Sequence, residues 1–152
     1  MNEKTAGMLL MASALLWIVW GLVHALAGAL VMAGDTVSGI QAIADAVPAE
    51  QLVSDYHPAV GGILNQHAWN LFWGGLVTIA GAVFIWRGNR TAIWVTAMVG
   101  GLLDVGYFVF IDLGEFSKVV PGRVMTIFSA TAIVLSFCVY FLKLPTAAHP
   151  GR

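Results

Sequence analysis

The chain has 152 residues, 59% of them hydrophobic and only 10% charged, against about 25% charged in an ordinary soluble domain; this excludes a water-solvated globule and points to a chain surrounded by lipid. A net charge of −1, with no basic block to neutralise a run of phosphates, excludes nucleic acid as a partner. The single cysteine, Cys138, excludes an intrachain disulfide and any Cys-x-x-C pair, and with them the quinone-linked disulfide-forming enzymes.

A hydrocarbon layer about 30 Å thick requires apolar helices of about 20 residues, and four such runs occur. The first covers about residues 7–33 and stops at Gly34-Asp35. Its start, Met1 to Lys4 before an apolar run with Ala25-Leu26-Ala27 inside it, resembles a cleavable leader. The run continues to Ala33, too long for a leader core, so a retained helix is expected. Gly21, Ala25 and Ala29 recur every four residues and form a ridge of small residues that lets another helix come close. Trp17, Trp20, His24 and Gly28 share one helical face, which sets the imidazole beside two indoles.

Residues 35–60 form the one sizeable loop. Val37, Ile40, Ala44 and Val47 repeat with helical period after Thr36, a candidate N-cap, and the pattern stops at Pro48. The expectation is a short amphipathic helix on the membrane surface, over the mouth of the bundle. Pro58 suits the first turn of the next helix, where no N–H is needed. His57 beside it is expected to be solvated, as is His149 in the tail.

The second span, about 61–86, contains Asn65-Gln-His-Ala-Trp-Asn-Leu-Phe-Trp73. Gln66, His67 and Asn70 there sit in an apolar run, and a polar side chain at that depth is costly unless a neighbouring helix supplies a partner. His67, Gly74, Thr78 and Gly81 make a small and polar stripe expected to face protein. The short turn Arg87-Gly88-Asn89-Arg90 makes spans two and three antiparallel neighbours.

The third span, about 91–113, carries Gly100-Gly101, Asp104, Gly106 and Tyr107. Asp104 is the one carboxylate deep within any span, and is expected to accept hydrogen bonds from His67, Asn70 or Tyr107. Asp112, near the end, can reach headgroups or water and is left out of the site. Pro121-Gly122 marks a turn before the fourth span, about 124–144, on which Thr126, Ser129 and Ser136 form a hydroxyl face. The tail from Pro145 is expected to fray. Cys138 reads as a small buried hydrophobe.

Lys4, Arg87, Arg90, Lys143 and Arg152 fall on one side and only Lys118 and Arg123 on the other. The positive-inside rule then puts both termini in the cytoplasm and the large loop outside the cell's inner (plasma) membrane. At about 1.5 Å per residue, His24, His67, Asn70, Asp104 and Tyr107 reach one depth in the outer half, joined by Ser129. The expected fold is therefore an all-α integral membrane protein: one domain, an antiparallel bundle of four transmembrane helices, with a surface helix between spans one and two.

The favoured function is binding of a small amphipathic ligand, or of a partner membrane subunit or second copy, at His24, Gln66, His67, Asn70, Asp104, Tyr107 and Ser129, walled by Trp20 and Trp73. A second reading makes it a membrane enzyme or redox protein, with His24, His67 and Asp104 holding a divalent metal, or the two histidines clamping a haem. A third is a proton-coupled carrier in which Asp104 changes charge. A fourth is purely structural, with Asp104 locking helix register. No His-x-x-x-His, nucleophile elbow, phosphate loop or His-Glu-x-x-His accompanies these residues, so an enzymatic role stays open.

Overall fold

A computed structural model describes residues 1–143; Leu144, His149 and the tail expected to fray lie outside the described residues. Five α-helices and no strands occur among the described residues: α1 (Glu3–Ala33), α2 (Thr36–Ile43), α3 (Pro58–Trp86), α4 (Arg90–Tyr107) and α5 (Val124–Lys143). Four stretches are long and apolar enough to cross a membrane: Glu3–Ala33, Pro58–Trp86, Arg90–Asp112 and Val119–Leu142.

The helix ends follow local capping chemistry. α1 starts earlier than its apolar run because the Asn2 side chain accepts from the Thr5 N–H at 2.8 Å, which draws Glu3 and Lys4 into the first turn. α2 is capped by Asp35, not Thr36: its carboxylate accepts from the Ser38 N–H at 2.8 Å, and that bond holds the carboxyl below its ordinary pKa. α2 ends at Ile43, short of Pro48. His57 caps α3 through Nδ1, 3.2 Å from the Ala59 N–H, while Pro58 takes the first turn as expected. The fourth apolar stretch opens with a wide turn at Val119–Arg123, bent at Val120, so Pro121-Gly122 belongs to the entry into α5.

α1 packs on α3 and α5, α3 on α4, and α4 on α5, closing a ring of contacts, while α2 leans on α1 and α3. Between α1 and α3 the backbones touch. A Cβ on Gly21 would stand 2.6 Å from the Gly75 carbonyl oxygen, and one on Gly75 would stand 2.5 Å from that of Gly21. Further along, a Cβ on Gly28 would collide with the Ala68 carbonyl. Residue numbers thus rise on α1 as they fall on α3. The stripe on α3 meets protein too: Gly74 lies against Leu103, Thr78 against Gly21 and Gly100, and Gly81 against Thr96.

The core is centred on Trp17 and Trp20, both fully buried and set edge to face at 5.7 Å. Gly100 makes room for the Trp17 ring. Ser13 Oγ donates to the Ala132 carbonyl at 2.8 Å, pinning α1 to α5. The opposite face of α1 is no less apolar, with Leu15, Leu22, Leu26 and Leu30 all exposed.

Candidate functional sites in the bundle

The polar residues singled out in the sequence divide among four places. The first is a clasp at Asp104, where three helices meet. Trp20 Nε1 donates to Asp104 Oδ1 at 3.2 Å, and Ser129 Oγ donates to Oδ2, so α1, α4 and α5 share one buried carboxyl. Ser129 Oγ also lies 3.0 Å from the Thr126 carbonyl. None of His67, Asn70 or Tyr107, the expected donors, reaches Asp104. Trp20, expected as an apolar wall, does so because its face of α1 carries the indole N–H to α4. Beside the clasp, Gly101 and Val105 of α4, Phe108 just after it, and Ala130 and Ile133 of α5 border a cavity of about 320 Å³.

The second place is His24. Its Nδ1 lies 2.8 Å from the Trp20 carbonyl of its own helix; a carbonyl only accepts, so Nδ1 carries a proton, and in the neutral ring Nε2 is then the acceptor. The ring stacks on the Trp20 indole with centroids 3.6 Å apart. It faces a chamber of about 60 Å³ bordered by Val23, Leu71, Tyr107 and Gly122, with Ala42 and Ile43 of α2.

The third is a groove of about 560 Å³ that opens sideways between α3 and α4 under α2. Ile63, Leu64, Leu102, Leu103 and Phe110 make its walls and Ile40 and Ile43 its roof, with His67, Asn70 and Tyr107 the polar residues among its lining. Trp73 Nε1 donates to Asn70 Oδ1 at 3.1 Å, and the Tyr107 hydroxyl donates to the Ile43 carbonyl at 3.2 Å. Tyr107 and Ile43 border both the groove and the His24 chamber, forming the partition between them. Gln66, one residue before His67, is exposed on the outside of α3 and does not line the groove.

The fourth is built on Asp112, which the sequence reading left out of the site. Asp112 is buried, accepting from Thr126 Oγ1 at 2.8 Å and from Ser117 Oγ. Nearby, the Lys118 N–H donates to Asp45 Oδ1 at 2.7 Å and the Ala46 N–H to the Phe116 carbonyl at 3.0 Å, tying the large loop to the α4–α5 connection. The expectation that Asp112 reaches water fails because the helix widens after Tyr107, with Leu113 N–H bonded to the Phe108 carbonyl at 2.9 Å. On a regular helix Asp112 would stand about 80° around from Asp104. One extra residue in the widened turn brings it within about 20° of the same face.

Among the described residues no three His, Cys, Asp or Glu side chains gather into a set that could hold a metal ion. The expected metal set of His24, His67 and Asp104 is therefore not assembled: Asp104 is engaged by Trp20 and Ser129, and His24 Nδ1 by its own backbone. The two imidazoles line different cavities, so the haem clamp lacks a shared pocket. Compared with protein-family models, with curated proteins and with solved structures, the chain matches none, so its function rests on the site alone.

Proposed function

We propose that this protein crosses a bilayer four times as an antiparallel bundle, both termini cytoplasmic, and binds a lipid-like amphipathic molecule in the lateral groove between α2, α3 and α4. The membrane reading is supported by four stretches of sufficient length and apolarity and by a first helix with leucines on its outer as well as its inner faces, the pattern of a helix solvated by hydrocarbon. Opposed residue numbering at the α1–α3 contacts supports the antiparallel arrangement.

The observation that carries the binding reading is the groove itself. Its volume of about 560 Å³ lies within the range of small-molecule sites, and an apolar wall with a few convergent polar groups is how such sites hold and orient a ligand. The occupant is argued from surroundings: a groove that opens sideways from an apolar helix pair faces acyl chains.

Gly106 lines the groove, and a Cβ there meets nothing within 4 Å. Gly106→Trp should therefore fill the groove without displacing a helix. The test is photocrosslinking of a diazirine-bearing acyl lipid to the protein in nanodiscs, read by peptide mass spectrometry. Label should concentrate on α3 and α4 peptides and disappear in Gly106→Trp, whose unfolding midpoint stays close to that of the parent. Labelling spread evenly over all lipid-facing helices, or unchanged by Gly106→Trp, would refute the proposal.

A further inference from the structure

The groove's hydrogen-bonding groups are unequal in kind, and that inequality selects a class of ligand. We infer that the molecule it takes presents an uncharged oxygen acceptor, of which the carbonyl of an ester, a ketone or a quinone is the strongest neutral form; the inference rests on the groove being a binding site.

An indole N–H can only donate, so the contact from Trp73 settles which way the Asn70 amide faces: Oδ1 is turned to the indole at 3.1 Å and Nδ2 keeps two free N–H groups. The Tyr107 proton is already engaged by the Ile43 carbonyl. His67 adds one N–H when neutral, together with one acceptor nitrogen. Asn70 therefore offers an incoming head two unengaged N–H groups from Nδ2, beside an oxygen that already accepts from the indole, and those N–H groups are met only if the head brings an acceptor.

Charge narrows the class further. The groove's lining includes no Lys, Arg, Asp or Glu, so neither a carboxylate nor an ammonium would find its counter-charge there. Asn70 lies twelve residues into α3, about 18 Å along the helix. At that distance from the helix end, inside an apolar layer, an unpaired charge on the ligand would be costly. A neutral oxygen acceptor satisfies both conditions. An amine head, protonated, fails doubly: it brings no acceptor for the Asn70 N–H groups, and a charge with no counter-charge in the lining.

The experiment is competition against the crosslinking lipid, using compounds that share one saturated chain and differ in the head: a methyl ester, a primary amine and a carboxylate. A short-chain benzoquinone and a diacylglycerol are added to separate a redox lipid from a bilayer lipid as the source of the carbonyl. The ester should displace the probe at a concentration at least about tenfold below that of the amine or the carboxylate, the discrimination expected when a mismatched head leaves the Asn70 N–H groups unmet in an apolar layer.

Asn70→Asp keeps an acceptor for Trp73 and replaces the free N–H groups by an oxygen, so it should erase the preference for the ester and improve displacement by the amine. Asn70→Ala, which removes both, should bring ester and amine closer together. Whichever of benzoquinone and diacylglycerol displaces better identifies the source and upholds the class; displacement by neither overturns it. Equal displacement by ester and amine in the parent, or an unchanged ranking in both Asn70 variants, also overturns it. If Gly106→Trp abolishes crosslinking while the heads are not ranked, the groove stands and the carbonyl assignment falls. If Gly106→Trp leaves crosslinking unchanged, the groove itself falls.

Discussion

Asp104→Asn should leave the bundle nearly as stable as the parent, whereas Asp104→Ala should not, and the difference follows from how the clasp can rearrange. In the asparagine variant Oδ1 still accepts from Trp20 Nε1, now 3.2 Å away. The new Nδ2 donates to Ser129 Oγ, and that hydroxyl turns its proton to the Thr126 carbonyl, already 3.0 Å away. Trp20 and Ser129 each keep an acceptor and only the second Nδ2 hydrogen goes without one, so a loss of about 1 kcal/mol is expected. Alanine leaves the fully buried Trp20 indole N–H without an acceptor, a loss of about 1–3 kcal/mol, and the void left by the carboxyl group adds to it. A total of about 2–4 kcal/mol is expected. Equilibrium unfolding in mild detergent, titrated with a denaturing detergent and followed by tryptophan fluorescence, measures both variants. Equal losses, or asparagine worse than alanine, would show that the carboxylate is needed for more than accepting these two bonds.

Other expectations test the remaining contacts. Gly28→Val places side-chain atoms on the Ala68 carbonyl and the Phe72 backbone; because backbone cannot yield as a side-chain tip does, a loss of about 1–3 kcal/mol is expected in the same titration. Tyr107→Phe removes the donor to the Ile43 carbonyl, so hydrogen exchange should quicken in α2 while the midpoint of global unfolding changes little; unaltered exchange there would mean that the bond does not hold α2 in place. The Asp35 carboxyl is held below its ordinary pKa by the Ser38 N–H, so its support of α2 is complete above the unfolded value of about 4 and fades as pH falls through the lower folded value. Exchange in Thr36–Ile43, corrected for intrinsic rates, should rise on acidification in the parent and not in Asp35→Asn, which keeps a capping oxygen at all pH values.

Much of the architecture was legible because it depends on local quantities. Run length and apolarity locate four helices, and small residues spaced by four mark where α1 can approach another helix, since both features are properties of one segment. The depth argument also had content: Asp104 and Ser129 do meet, on α4 and α5. Depth along an axis says nothing about direction around it, however. His24, His67 and Asp104, expected at one depth, belong to a small chamber, a larger groove and a three-helix clasp.

Rotation about the helix axis, together with the partner each side chain meets, was decided only by the tertiary packing. The widened turn after Tyr107 turns Asp112 inward to Thr126 and Ser117, although its position near a span end had suggested water. The Gly21–Gly75 contact sets how closely α1 lies on α3. The indole of Trp20, read from sequence as apolar bulk, becomes the donor that holds a carboxyl. A hydrogen bond between helices needs two rotational phases to agree, and each phase is fixed by every other contact along the interface; composition and period, which describe one helix at a time, carry no term for that agreement.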